Sequence, residues 1–321
     1  MKRLLALMLF IVQASPVLAA LDPALLVKLS SSVLKVEVIR AEGGYSLGSG
    51  VVVGADRVVT NCHVTRDARQ IAVLQGGLRL PAQSQQVDAY HDLCLLRVRG
   101  IESARAVRLG LAGDLAIGQP VTAVGHTAGA FRSSGGAVLA LHRMDGARVI
   151  QSSNFFSSGA SGGGLFDADA KLVGVLSFRL RGTTAHYFAM PAEWLARDLD
   201  AADHVLPIEP PTARDLAFWE QPLEKQPPFM RAAVLERDGN WQALRLLAAD
   251  WARRDTSDPE PWYLLGRALG MLDLPGDALD ALECSLAIDP DFENARVEIQ
   301  RLHMHPGRPS DSAAAALSCR H

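Results

Sequence analysis

A series of short segments from Ser32 to about Pro191 constrains the fold of this chain most strongly. Segments such as SVLKVEVIRA and KLVGVLSFRL alternate or are continuously apolar, and glycine, asparagine and aspartate turns separate them. Such runs are typical of β-strands. Many short strands in succession favour an antiparallel sandwich or barrel. The stretches LDPALLVKLSSS and PAEWLARDL predict one short helix before the strands and one after them.

The N-terminus has the pattern of a secretory signal. A basic pair, Lys2 and Arg3, precedes a short apolar run, and small residues follow up to Ala19. The run is shorter than the ~20 apolar residues that span a bilayer. We therefore predict a signal peptide over residues 1–19, an exported protein (periplasmic or secreted), and no membrane anchor after signal removal.

Length and charge limit the classes of function. The chain has 321 residues, which is enough for about two domains. Its net charge of -3 provides no basic surface for nucleic acid. The cysteines and histidines lack the spacing of a metal site. We therefore expect no nucleic-acid partner, no metal and no cofactor.

The character of the chain changes after the β-rich region. The predicted β domain covers residues 20–203, and the proline-rich residues 204–229 are predicted to form a linker or wrap. Residues 230–302 are predicted to be a helical module, and residues 303–321 a disordered tail.

The helical module resembles a tetratricopeptide repeat. The matching residues are Trp262, Leu265, Gly266 and Leu269 in the first helix, and Ala278, Leu282 and Pro290 in and after the second. About three such repeats are normally needed for stability, and fewer can be recognised here. Two interpretations remain open: the helices bind a protein partner, or they form a structural cap without a ligand.

The stretch GASGGGLFD at 159–167 holds a single serine, Ser161, among small residues. It is either a loose loop or a turn that exposes a hydroxyl and aims main-chain N–H groups at a ligand. Two other stretches favour the second interpretation: VVTNCHV places His63 after an apolar run, and DAYHDLCLLRV places Asp92 at the head of another. The order His63, Asp92, Ser161 is a known order for a catalytic base, an orienting acid and a nucleophile.

These stretches and their flanks resemble the HtrA/Deg group of chymotrypsin-fold serine proteases. The matching sequences are GSG at 48–50, TNCHV at 60–64, DLCLL at 92–96, QSSNFFSSGASGGG at 151–164 and FAMP at 188–191. The resemblance covers about half of the chain. It implies a mainly β fold, a double antiparallel β-barrel, followed here by a smaller all-α module. The chain departs from the pattern of the group at Ala160, where asparagine or aspartate is usual, and in having helices where PDZ domains are common.

The resemblance and the chemistry of acyl transfer give each residue a role. His63 is expected to take the proton of Ser161 as general base, and Asp92 is expected to orient the imidazole. The main-chain N–H groups of Gly159 and Ser161 are expected to form an oxyanion hole. Ser177 is expected to lie beside Asp92.

Three further residues are alternatives for these roles: Asp88, His91 and His126. Asp88 is the competing acid, but Asp92 is preferred because it begins an apolar run that can bury it against the histidine. His91 and His126 are expected to be turn or surface residues, because neither lies in a matching motif.

The candidate residues of the substrate pocket are Phe155, Phe156, Ser177 and Phe178. The residue six before the serine often floors the pocket in this fold, and here it is Phe155, so that no carboxylate selects Lys or Arg. We predict cleavage after small or medium apolar side chains. The two adjacent phenylalanines also fit a plug of the pocket or core packing.

The chain has four cysteines. Cys62 adjoins His63 and Cys94 lies near Asp92, so that a disulfide between the two would join the catalytic segments. Two buried thiols are the alternative. Cys284 is expected to be a core residue rather than bridged to Cys319.

Together these observations predict an exported serine endopeptidase that acts through an acyl-enzyme on Ser161. The resemblance implies that its substrates are extended or unfolded protein segments. The expected partners are such protein or peptide substrates and a protein bound by the helical repeats. One alternative is a catalytically latent protease-fold scaffold that binds partners through its repeats, and another is an esterase that uses the same residues.

Overall fold

The computed structural model describes residues 23–101, 104–180, 186–200, 205–208 and 216–304. The predicted signal peptide lies outside these residues, and so does the predicted tail from residue 305 onwards.

The first six strands form an antiparallel barrel. They are β1 (Val33–Arg40), β2 (Tyr45–Gly54), β3 (Arg57–Thr60), β4 (Ala68–Gln75), β5 (Leu78–Asp88) and β6 (Leu93–Val98). The barrel closes because β5 pairs with both β4 and β6. Alternate side chains of each strand point inward, and Val36, Val38 and Val58 are fully buried there.

The next six strands form a second barrel, closed in the order β10-β11-β12-β9-β8-β7. They are β7 (Pro120–Thr127), β8 (Ala130–Met144), β9 (Ala147–Ser152), β10 (Gly164–Phe166), β11 (Leu172–Leu180) and β12 (His186–Pro191). Ile150, Leu165 and Leu176 lie in its core.

Three short helices accompany the barrels. These helices are α1 (Pro23–Ser30) before β1, α2 (Cys62–Thr65) after β3 and α3 (Ala192–Asp200) after β12. A helical region follows the barrels. The helical region consists of α4 (Pro228–Arg237), α5 (Trp241–Arg254), α6 (Glu260–Met271), α7 (Pro275–Ile288) and α8 (Glu293–Met304). Helix α8 therefore extends two residues into the segment expected to be tail. The prediction of a mainly β double barrel followed by helices is confirmed.

Helices α6 and α7 approach closely at Gly266. A Cβ atom at this position would lie 2.6 Å from the Cγ atom of Leu282 and 2.9 Å from the carbonyl oxygen of Ala278. Glycine is needed there because any side chain would push the two helices apart. None of the helices in the described part of the chain is long and apolar enough to cross a membrane.

Between the barrels and the helical region, the described residues 205–207 pair with the first barrel. Strand β13 (Val205–Pro207) pairs antiparallel with β5. Further along, Phe218 is fully buried in a hydrophobic cluster that extends from the barrels into the helices, and Phe229 belongs to the same cluster. Barrels and helical region thus share one continuous core.

A series of hydrogen-bonded polar side chains joins the second barrel to α6. Nδ1 of His142 lies 2.7 Å from Oε1 of Glu260, and Nε2 lies 2.9 Å from Oε1 of Gln151. Both partners offer oxygen acceptors, so that the doubly protonated ring satisfies both. Burial disfavours the charged ring, but the charge of Glu260 and the two hydrogen bonds outweigh it and raise the pKa of His142 above its ordinary value.

The substitution His142→Gln is expected to cost more stability at about pH 6 than at about pH 9. The folded pKa of His142 lies above its unfolded value of about 6.5. Its stabilising contribution is therefore fully present below the unfolded pKa and is lost as the pH rises through the folded pKa. Urea unfolding of both proteins at the two pH values measures this, and an equal difference at both would contradict it.

Candidate active site

His63 and Asp92 lie side by side at one edge of the first barrel. His63 is in α2, directly after β3, and Asp92 is in the turn between β5 and β6. The main-chain N–H of His63 donates to Oδ1 of Asp92 (2.9 Å), and its Nδ1 lies 2.8 Å from Oδ2. The Asp92 side chain is fully buried, whereas 22% of the His63 side chain is exposed. With Nδ1–H donating to the carboxylate, Nε2 of the neutral ring is free to accept a proton.

The turn that carries Asp92 is held from two sides. Asp92 has a φ of 59°, in the left-handed region that aspartate tolerates better than most residues. The side-chain amide of Asn61 donates to its carbonyl oxygen (2.9 Å), and the hydroxyl of Ser177 donates to Oδ2 (2.5 Å). The side chain is thus fixed relative to His63 by contacts from both barrels. Sequence reasoning missed Asn61, although it precedes Cys62 in the matched TNCHV stretch.

Asp88, the competing acid, has a different partner. Its carboxylate lies 2.6 Å from Nδ1 of His91 and accepts the main-chain N–H of the same residue. The other ring nitrogen of His91 lies 3.0 Å from Asp145, and the ring packs against Trp194. His91 therefore ties the turn after β5 to the second barrel and is largely buried, although it does lie in a turn.

His126, at the end of β7, also serves the structure around the serine. Its main-chain N–H donates to the hydroxyl of Ser49 (2.8 Å), and its Nε2 lies 3.1 Å from the carbonyl oxygen of Val33. Burial lowers the pKa of this histidine.

Ser161 lies in the turn that precedes β10, between the two barrels. Its carbonyl oxygen accepts the main-chain N–H of Ser49 on β2 (2.8 Å). Its hydroxyl donates to the carbonyl oxygen of Ser177 on β11 (3.2 Å). No hydrogen bond joins this hydroxyl to His63 in the described residues. Ser177 therefore touches both Ser161 and Asp92, and it links the candidate nucleophile to the histidine–aspartate pair.

Two glycines near Ser161, Gly159 and Gly162, lie so close to neighbouring backbone that a side chain would not fit. A Cβ atom on Gly162, whose φ is +84°, would lie 2.1 Å from the carbonyl oxygen of Ser49. One on Gly159, whose φ is +96°, would lie 2.6 Å from the carbonyl oxygen of His126. Both positions therefore require glycine.

Two main-chain donors are available in this turn. The carbonyl oxygen of Gly159 is held by the hydroxyl of Ser49 (2.7 Å), which fixes the peptide that follows it. The N–H groups of Gly159 and Ser161 have no acceptor among the described residues. Such amides can hold a developing oxyanion if both face the reacting carbonyl.

The four candidate pocket residues have different surroundings. Phe155 is 64% exposed, whereas Phe156 is buried in the core of the second barrel, with its ring against Tyr187. Ser177 contacts Asp92 and Ser161, as described above. Phe178 is buried and stacks on Phe188, at a ring-centroid distance of 4.7 Å.

A disulfide joins Cys62 and Cys94, with a Cα–Cα distance of 4.9 Å. The pairing of β3 with β6 places Thr60 opposite Cys94, so that the bond fastens the segment of His63 to the segment that follows Asp92. A loop of this size contributes roughly 3–4 kcal/mol in the chain-entropy account of disulfides.

The prediction for Cys284 is confirmed for its burial and wrong for its thiol, which is not free. Cys284 on α7 is fully buried, as expected for a core residue, but it is also disulfide-bonded. Cys319 lies outside the described residues. Burial on a helix therefore did not exclude a covalent partner for this side chain.

Comparisons with known proteins find similarity to trypsin-like serine proteases in the region of the barrels. Residues 48–175, which include His63, Asp92 and Ser161, match the model of the trypsin-like peptidase domain family. Serine protease HTRA4 of Mus musculus is 31% identical over 167 residues, which are 48% of this chain and 34% of that protein. A probable periplasmic serine endoprotease DegP-like of Ectopseudomonas mendocina is 35% identical over 164 residues, again 48% of this chain and 34% of that protein. The chain thus spans about a third of the length of these relatives.

Solved structures show the same architecture. The HtrA-type protease AlgW with tripeptide superposes with a TM-score of 0.50 at 26% identity, covering 54% of this chain and 60% of that one. The Rv3671c protease from M. tuberculosis, active form, superposes with a TM-score of 0.54 at 22% identity, covering 64% of this chain and 98% of that one. The barrels of this protein have the chymotrypsin-like fold. His63, Asp92 and Ser161 lie within the part that matches the trypsin-like peptidase domain, and Ser177 lies two residues beyond its end.

Proposed function

We propose that this protein is an exported serine endopeptidase that cleaves extended or unfolded protein segments through an acyl-enzyme on Ser161. One observation supports this most directly. The buried Asp92 carboxylate holds His63 through both its main-chain N–H and Nδ1, and Ser177 connects this pair to Ser161. A structural histidine–aspartate pair would not need a third contact to a serine in a glycine turn.

The proposed reaction follows from these contacts. Rotation about the Cα–Cβ bond of Ser161 moves its hydroxyl from the carbonyl of Ser177 toward Nε2 of His63. Oγ attacks the carbonyl carbon of the scissile bond while Nε2 takes the hydroxyl proton. Asp92 stabilises the imidazolium that results.

The remaining steps restore the site. The oxyanion is held by the N–H groups of Gly159 and Ser161. In related chemistry one such donor lowers the activation barrier by about 3 kcal/mol. The tetrahedral intermediate collapses, the C–N bond breaks, and the leaving amine takes the proton from His63. Water then attacks the ester, giving its proton to His63, and the acid product leaves as the proton returns to Ser161.

The export and the substrate class rest on different support. Relatives are described as probable periplasmic serine endoproteases, and the N-terminal sequence has the pattern of a secretory signal. Extended protein segments are the substrates because the resemblance to the HtrA/Deg group implies them. The helices α6 and α7 are proposed to bind a protein partner because their sequence resembles a tetratricopeptide repeat. The close approach of the two helices at Gly266 supports that resemblance.

A fluorophosphonate probe tests the proposed nucleophile. The folded protein should become labelled, and peptide mapping should place the adduct on Ser161. The exposed Ser158, three residues earlier in the same turn, provides the control because Ser158→Ala should leave labelling unchanged. A folded protein whose Ser161 remains unlabelled at neutral pH, with or without peptide substrate, would rule the proposal out.

A further inference from the structure

An aromatic segment from outside the barrels lies against the candidate active site. This segment, residues 216–226, is named here the aromatic strap. Phe218 anchors it: its main-chain N–H donates to the carbonyl oxygen of Tyr90 (2.9 Å), and its side chain is fully buried. The strap lies within residues 204–229, for which the sequence predicts a linker or wrap. The adjacent aromatic pair in a proline-rich context was the only signal of a docked segment.

Trp219, the next residue, contacts both barrels. Its ring stacks on Phe178 of β11, with a centroid distance of 4.9 Å and an interplanar angle of 17°. It also meets the ring of His63 edge to face, at 5.5 Å and 88°. The indole therefore lies between the candidate general base and the residue that follows Ser177.

The strap is held on both sides of Trp219. Glu220 forms an ion pair with Arg66, just beyond α2, and also accepts the main-chain N–H of Ala217 (3.1 Å). The side-chain amide of Gln226 donates to the carbonyl oxygen of Trp219 (3.1 Å). Together with the buried Phe218, these contacts hold the indole in a fixed position beside His63.

We infer that Trp219 determines which substrate side chain fits beside His63, and this inference rests on the proposed function. A peptide whose scissile carbonyl reaches Ser161 must pass the ring of His63. Phe178 follows Ser177, whose carbonyl oxygen accepts the hydroxyl of Ser161, and we place the acyl half of the bound peptide along this stretch of β11. The indole then contacts the side chain of one particular substrate residue. This is the residue that precedes the one whose carbonyl group is attacked by Ser161. Because the centroid of the indole is already only 5.5 Å from that of the imidazole, we expect only small residues, such as glycine or alanine, to fit there.

The inference is tested with peptide coumarylamides of one series, in which only the residue before the scissile residue changes. Glycine, alanine, leucine and phenylalanine are compared at that position. In the wild-type protein, kcat/KM should be highest for glycine or alanine. In Trp219→Ala, kcat/KM for leucine should rise roughly 10- to 100-fold relative to alanine, the range for extra methylenes in an apolar pocket. Trp219→Phe should fall between the two, and it also guards against a variant that does not fold.

The control lies on the same strap. Leu223 is 44% exposed, so that Leu223→Ala should leave the preference unchanged. An equal rise for all four peptides in Trp219→Ala would make the strap a general block, and an equal fall would make Trp219 purely structural. Either result overturns the inference. If wild-type Ser161 is labelled by the fluorophosphonate but the preference stays constant, the inference fails and the proposed function stands. If the wild type neither cleaves nor labels, both fail.

Discussion

The substitution Ser161→Ala is expected to reduce kcat by about 10⁶-fold, because removing the nucleophile of a hydrolase of this type leaves only binding and oxyanion stabilisation. KM should change little, since Oγ is not needed to hold the peptide. Stability should also change little, because among the described residues the hydroxyl makes a single hydrogen bond, to the carbonyl of Ser177. Steady-state kinetics and urea unfolding of the same preparations measure both effects.

The matched control for this experiment is Ser158→Ala. Ser158 lies in the same turn and is exposed, so that its loss should leave kcat within a few-fold of the wild type. If Ser161→Ala retained a tenth or more of wild-type kcat, Ser161 would not be the nucleophile.

The substitution Asp92→Asn is expected to reduce kcat by about 10⁴-fold. Three donors converge on the Asp92 carboxylate: the main-chain N–H and Nδ1 of His63, and the hydroxyl of Ser177. An asparagine amide replaces one acceptor oxygen with a donor. The imidazole then turns to the tautomer that carries its proton on Nε2, and it can no longer take the proton of Ser161.

The control uses the nearby carboxylate that faces a different histidine. Asp88→Asn removes the partner of His91 and not that of His63, so that kcat should stay within a few-fold of the wild type while stability falls. Equal losses of kcat in the two variants would contradict the assigned roles. Fluorophosphonate labelling of Ser161 should slow in Asp92→Asn as well, because the same proton transfer activates the nucleophile.

Much of the fold could be predicted because the alternation of apolar and polar residues in its strands is visible in the sequence. The alternation in β1, the apolar β11 and the helical pattern of α6 and α7 each reflect contacts within or next to one element. The double barrel followed by helices was predicted with the help of the resemblance, and it is confirmed. The closure of each barrel is a different matter, because the pairing of β5 with β6 or of β10 with β7 depends on hydrogen bonds that leave no local pattern.

The candidate site divides in the same way. His63, Asp92 and Ser161 could be nominated because each stands in a short motif with its own chemistry. Trp219 could not, because its relation to His63 arises from a segment more than a hundred residues away in sequence that packs onto both barrels. The disulfide of Cys284 likewise left no trace in the helical pattern of α7.

The amino-acid order was sufficient to nominate candidate residues for the chemistry, because a nucleophile, a base and an acid are suggested by residue type and by the few neighbours that shape each turn. It was also sufficient for the β and helical periods, which repeat over a few residues. Folding settled which groups meet: Asp92 rather than Asp88 beside His63, Ser177 between Asp92 and Ser161, and an indole from the strap against the imidazole. These contacts between distant residues depend on how the two barrels and the helical region pack together. No short stretch of the chain encodes them.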